Sequence, residues 1–385
     1  MTMNPVRRAA TALLIFGCLA TTASAADIRI GVAEALSGPA AQYGVSAKNG
    51  FMLAAEQINA KGGINGNRIT LVIEDEQGKK EEAINVFKKL AFQDKVLMIF
   101  GPTLSNSAFA ADPIANQAKL VIFGTSNTAN GITNIGPFVF RNSVMESDVL
   151  PYTIRAAVKR FNVRKVAVIY GNDDAFTRSG YDVFKQVLAD QKIAVTDTET
   201  YAKGDVDFKA QLTKIKSSNP DAIVCSCLAE EAANIMIQSR GLGIKVPFIG
   251  GNGFNSPKLF EISRQAANDS IMGSPWSAEN KTLANKAFME AYQKKFSVAP
   301  NQFAAQAYDA MYIVAEALKK MTPGGDLAVD RLALRNALPA VQIDGATGKF
   351  KFRKAQPKNG KEGGYDADQS AIVNIAEGGR FVLLE

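Results

Sequence analysis

Histidine is absent from all 385 residues. That removes histidine triads, histidine general bases and histidine metal sites together, and weakens the case for an enzyme. No stretch beyond the first residues offers eighteen uninterrupted apolar positions, because Lys, Arg, Asp or Glu recur throughout, so no membrane span is expected. Lysine and arginine are in excess but scattered, often beside acids as in Lys79-Lys80-Glu81-Glu82. A nucleic-acid surface would cluster them on one face, so no nucleic-acid partner is expected. Phosphate-loop and dinucleotide fingerprints are missing too: Gly241-Leu242-Gly243 lacks a third glycine and follows a helix. No cofactor and no metal is implied.

Cysteine is scarce, with three in the chain. Cys18 falls in the opening segment, where Arg7 and Arg8 precede an apolar run over 9–20 and then Ala23-Ser24-Ala25. This is the pattern of a secretory signal peptide over 1–25, which places the mature protein in the periplasm. Phe16 is bulky where a lipidation box wants a small residue, which argues against lipid attachment at Cys18. Losing Arg7 and Arg8 with the leader lowers the formal charge from +7 by two, to +5. Cys225 and Cys227 remain. On a strand, residues two apart stand roughly 7 Å from each other, beyond easy disulfide reach, so two buried free thiols are expected.

About 360 mature residues exceed what one core usually supports, which suggests two domains. Strand-like runs at 28–32, 71–73, 96–100 and 120–123 alternate with helix-period segments near 45–60, 79–93 and 105–118. A second series follows, with strands at 166–170, 193–195, 222–225 and 248–250. Such alternation builds parallel sheets covered by helices, so the expected fold is α/β with two Rossmann-like lobes joined by a three-strand hinge. The expected division is 26–143 plus 276–344 for the first lobe and 144–275 plus 345–385 for the second. The crossings are expected near 141–147, 273–276 and 342–345, and the segments 348–352 and 371–375 read as a hairpin-like finish.

In open α/β sheets, ligands sit beyond the carboxyl ends of the strands, where helix N-termini offer free N–H groups. Two successive strands end in hydroxyl-rich loops: Gly101-Pro102-Thr103-Leu104-Ser105-Asn106-Ser107 and Gly124-Thr125-Ser126-Asn127-Thr128. Ser105 or Asn106 is expected to cap the next helix, and the two loops together to hold an anion. Trp276, the single tryptophan, falls where the chain crosses between lobes and is either packing or pocket lining.

Three longer motifs carry a resemblance. Leu36-Ser37-Gly38-Pro39-Ala40-Ala41-Gln42-Tyr43-Gly44, Ile58-Asn59-Ala60-Lys61-Gly62-Gly63-Ile64-Asn65-Gly66 and Val72-Ile73-Glu74-Asp75-Glu76 look like the opening of the type I periplasmic binding proteins of branched-chain amino-acid ABC importers, and Ala307-Tyr308-Asp309-Ala310 is similar to a later stretch of that family. The resemblance implies that Ser105 and Thr128 hold the ligand's carboxylate or amino group. It further implies that Ser126 contributes main chain, that Tyr43 covers the ligand from the first lobe and that Phe176 faces it from the second. The family's acidic partner for a ligand ammonium corresponds here to Asn252, and its early cysteine pair to Gln77 and Leu104. An amide cannot neutralise an ammonium. Either Asp173 or Asp174 substitutes, or the cargo is an aromatic, keto or hydroxy acid, or an amide.

The expected function follows. The protein is the extracytoplasmic binding subunit of an ABC importer, acting as a monomer, closing on a small carboxylate-bearing solute and passing it to an inner-membrane permease with its ATPase. A ligand-sensing receptor is the alternative on the same fold. An exported enzyme on this scaffold would need a nucleophile-base set that the sequence does not display.

Overall fold

A computed structural model describes residues 27–321 and 325–384. The first series runs β1 (Asp27–Glu34), α1 (Ala41–Ala60), β2 (Arg68–Asp75), α2 (Lys80–Lys88), β3 (Met98–Phe100), α3 (Ser105–Gln117), β4 (Val121–Gly124) and β5 (Val139–Arg141). The second runs α4 (Glu146–Phe161), β6 (Lys165–Gly171), α5 (Ala175–Asp190), β7 (Ala194–Tyr201), α6 (Lys209–Ser218), β8 (Ala222–Ser226), α7 (Ala229–Gly241), β9 (Phe248–Gly250), α8 (Lys258–Ser263) and β10 (Ile271–Ser274). The chain then adds α9 (Leu283–Phe296), α10 (Gln302–Leu318), α11 (Leu327–Ala337), β11 (Gln342–Gly345), β12 (Gly348–Lys354), β13 (Tyr365–Asp368), β14 (Ile372–Glu377) and β15 (Arg380–Leu383). The signal-peptide assignment lies outside the described residues.

Two sheets result. One has the order β11-β12-β13-β5-β4-β3-β1-β2, the other β15-β14-β10-β9-β8-β6-β7. The strands of each βαβ series pair in parallel, so helices cover both faces, and β3 and β4 are buried throughout, as their unbroken apolar sequence requires. In the first lobe, α1 packs on α10 so closely that a side chain at Gly50 would strike the Ala304 carbonyl. Glycine there lets the helix backbones meet.

The end of the chain departs from expectation. β12 does not pair with the 371–375 segment; it pairs with β11 and β13, and β13 joins β5 in the first sheet. Only β14 and β15 enter the second sheet. The third crossing therefore lies at 369–371 and not at 342–345, and 345–368 belongs with the first lobe. The reason is long-range packing. Phe352 of β12 stacks edgewise on Phe123 and Phe140, with ring centroids at 5.8 and 5.4 Å, and Tyr365 of β13 lies flat on Phe140 at 5.0 Å. A buried ion pair, Arg141 Nε to Asp366 Oδ1 at 2.6 Å, fastens β13 to β5. The other crossings run through 142–145 and 275–282.

Cys225 and Cys227 also differ from expectation: they form a disulfide. Cys225 lies in β8 but the strand ends at Ser226, so the backbone leaves its extended course before Cys227 and the Cα atoms stand 5.4 Å apart.

Candidate functional site

The in-register pairing of β3 with β4 places their two hydroxyl-rich loops side by side at the carboxyl end of the first sheet. They are laced together. Ser126 Oγ donates to the Thr103 carbonyl at 2.7 Å, the Asn127 amide donates to the Pro102 carbonyl at 2.8 Å, and Ser105 Oγ accepts the Ala129 N–H at 3.3 Å. Gly101 makes the turn possible, with φ of 112° and no room for a side chain against the Ala33 carbonyl. Behind the loops lie two buried carboxyls. The Thr103 hydroxyl donates to Glu34 and the Ser107 hydroxyl to Glu76 at 2.9 Å. Burial pushes Glu34 up to about 8 and Glu76 up to about 7, each further raised by a neighbouring acid.

Tyr43, Ser105, Ser126, Phe176 and Asn252 come together from both lobes around one cleft. Asn106, Thr128 and Trp276 do not line it. Asn106 instead bridges the lobes, its amide donating to Asp174 Oδ2 at 2.7 Å and its oxygen accepting the Ala175 N–H at 3.0 Å. Neither Ser105 nor Asn106 caps α3: the N-cap position falls on Leu104, and Ser105 is the first helical residue. Thr128 sits fully buried, its hydroxyl against the Glu146 carboxyl. Trp276 is committed to packing on Phe288 and donates its indole N–H to Asn285 Oδ1 at 2.7 Å. Its edge borders a separate groove beside Pro257, Phe260 and Phe381.

Asp173 and Asp174, the proposed substitutes for an acid at 252, are engaged elsewhere. Asp174 caps α5 through the Thr177 N–H and holds Asn106, while Asp173 accepts the Lys203 N–H on the surface. Sequence reasoning missed Leu228, Gly253 and Phe303 in the cleft wall. Leu228 follows the carboxyl end of β8, so the strand-end rule could have found it. It also missed Glu146, which begins α4 and is 2% exposed.

The lobes meet across the cleft. Tyr43 donates its hydroxyl proton to the Gly253 carbonyl at 2.9 Å and accepts the Ala229 N–H at 2.8 Å, while its ring stands edgewise on Phe303 at 4.8 Å. Burial drives its phenol well above the ordinary range, so it stays protonated and keeps that donor. Asn252 donates to the Ser126 carbonyl at 3.0 Å and accepts from Gln302. The cleft wall carries no charged side chain. Its polar atoms are hydroxyls, amides and main chain, beside the N-terminus of α3, and this set can bind and orient an anion without transferring anything. Among the described residues no group of three or more His, Cys, Asp or Glu is placed to hold a metal ion, and no helix is long and apolar enough to cross a membrane.

Known proteins agree with this architecture. Residues 27–363 match the periplasmic binding protein family. The Leu/Ile/Val-binding protein BraC3 of Rhizobium johnstonii is 27% identical over 357 residues, spanning 91% of this chain and 93% of its own. The branched-chain amino acid transporter substrate-binding protein LivJ of Streptococcus pneumoniae, solved with isoleucine, superposes with a TM-score of 0.82 at 29% identity, over 92% of this chain and 97% of that one. An R. palustris solute-binding protein in complex with benzoate gives 0.81 at 22% identity over 93% and 95%, a likeness of fold. With the family match running through nearly all of the described residues, the chain belongs to the type I periplasmic binding proteins of the branched-chain amino-acid ABC importer family, whose members bind substrates and are not enzymes.

Proposed function

We propose that this protein captures a small carboxylate-bearing solute, a branched-chain or other hydrophobic amino acid or a related compound, by closing its lobes on it, and presents it to an inner-membrane permease driven by its ATPase. The N-terminal leader exports it and it works as a monomer in the periplasm. The observation that carries the reading is the cleft itself: hydroxyls and main-chain groups at the mouth of α3 on one side, with Leu104, Leu228, Phe176 and Phe303 forming apolar walls. The polar end suits a carboxylate and the walls suit an apolar side chain. Ligand contacts to both lobes favour the closed form through differential affinity. The relatives named for leucine, isoleucine and valine support this substrate class. A second reading, aromatic or keto acids or amides, is favoured by the neutral Asn252 in the wall.

A thermal-shift screen over aliphatic amino acids, aromatic acids, keto acids and amides tests it, since a ligand that binds the folded state raises its melting point by mass action. The expected hit loses affinity in Ser105→Ala, whose hydroxyl lines the cleft. Unchanged affinity in that variant refutes the assignment of the carboxylate site.

A further inference from the structure

Much of the second lobe's side of the cleft hangs on one turn. β8 ends at Ser226 and α7 begins at Ala229, so Cys227 and Leu228 belong to neither element. Leu228 lines the cleft from this turn. The N–H of Ala229, the first of α7, donates to the Tyr43 hydroxyl at 2.8 Å. The Cys227 carbonyl lies so close to Gly253 that a side chain there would strike it and crowd the Phe176 ring. The Gly253 carbonyl in turn accepts the Tyr43 proton. The course of the backbone through 226–228 therefore places Leu228, Ala229, Gly253 and Phe176 together.

What sets that course is local. Leu228 is the N-cap of α7 and offers no polar side chain to hold the helix start. The Ser226 hydroxyl is tied to the Thr177 carbonyl at 2.8 Å, but Ser226 is still strand. Across it stands the disulfide between Cys225 and Cys227, both buried. The bond holds their Cα atoms 5.4 Å apart, where an extended chain sets them at roughly 7 Å. A loop this short takes little chain entropy from the unfolded state, so the bond adds only modestly to overall stability. Its larger effect is geometric: it fixes the bend after which Leu228 enters the cleft and α7 points its first N–H at the opposite lobe.

We infer that the Cys225–Cys227 disulfide is a positioning pair for the cleft, holding the 226–229 turn so that Leu228 walls the cleft and Ala229 latches Tyr43. This rests on the reading of the cleft as the ligand site. Without the bond the chain after Ser226 relaxes toward its extended course, Leu228 draws back and the Ala229 N–H leaves the Tyr43 hydroxyl. That hydroxyl belongs to the first lobe, so a change confined to the second lobe is felt in closure.

Two measurements test it, and the first needs no ligand. Hydrogen exchange read by mass spectrometry compares the oxidised protein with Cys225→Ala combined with Cys227→Ala, and with protein reduced in denaturant and refolded in dithiothreitol. Peptides covering 227–231 are expected to exchange about tenfold faster without the bond, while β1 and β3 stay as they were. Tyr43→Phe in the oxidised protein is expected to speed the same peptides. Removing the bond from Tyr43→Phe is then expected to add less than about threefold, because both changes open one latch. The second measurement is calorimetry with L-leucine and with benzoate. Loss of the bond is expected to raise Kd about tenfold for whichever binds, again less than additively with Tyr43→Phe, and reoxidation to restore it. Unchanged exchange at 227–231, acceleration spread equally over β1 and β3, or an unchanged Kd overturns the inference. If neither probe binds, the reading of the cleft fails for both solutes, and the exchange pattern alone upholds or overturns the role of the bond.

Discussion

Replacing Tyr43 by phenylalanine tests the closed state itself. The ring keeps its place on Phe303, but the hydroxyl that joins α1 of the first lobe to Gly253 and Ala229 of the second disappears. In the closed form the Gly253 carbonyl and the Ala229 N–H then lie buried without partners. In an open form water reaches both. Leaving a buried polar group unsatisfied costs about 1–3 kcal/mol, so the two groups together weaken closure by about 2–6 kcal/mol. Only the closed state holds ligand tightly, and every 1.4 kcal/mol is a factor of about ten, so Kd rises by roughly thirtyfold at least. Calorimetry with the ligand identified by the thermal-shift screen measures the change. Small-angle scattering with and without that ligand shows whether the variant still contracts. The ligand-free melting point stays near the parent's, because the lobes' own cores are untouched. A Kd within twofold of the parent, with the same ligand-induced contraction, refutes the latch.

Other consequences are as direct. Glu34 is fully buried and binds its proton far more tightly in the folded chain, at about 8, than at the usual 4.5. A raised acid means the folded state holds more protons than the unfolded between those values, so Glu34 lowers stability progressively as pH climbs from about 4.5 to about 8, by at most about 5 kcal/mol. Glu34→Gln is expected to flatten the pH dependence of urea unfolding in that window, and a parallel pH profile in the variant contradicts it. Trp276→Phe loses the bond to Asn285 and some packing, a stability loss of about 1–2 kcal/mol by thermal unfolding, while ligand affinity stays unchanged. Alkylation of unreduced protein is expected to find Cys225 and Cys227 blocked, and reduction to cost about 1–2 kcal/mol, because so short a loop removes little chain entropy.

Much of this architecture is legible in local pattern. The apolar runs at β1, β3, β4, β6 and β8 announce buried parallel strands, and the rule that ligands lie beyond strand ends leads to Ser105 and Ser126. What escaped reading depends on distant partners. The sequence around β12 alternates like a simple hairpin strand, and only the stack of Phe352 on Phe123 and Phe140, with the Arg141–Asp366 pair, assigns it to the first sheet. Glu146 stands between Met145 and Ser147 like any solvated acid in a first helical turn. Its burial comes from the Thr128 and Asn252 loops folding over it. Trp276 was open between packing and lining, because its place at a crossing suits both; only the turn of its indole into the packing of α9 decides between them.

Two of the three connections leave the first sheet from adjacent strands, since β5 and β13 are neighbours locked by the Arg141 guanidinium and the Asp366 carboxylate. A pair of short straps rooted so close together on a stiff base works like the two pins of a door. In the closure proposed above, straps so placed favour a swing about one line over a swivel, so that the same two rims would meet each time the cleft shuts.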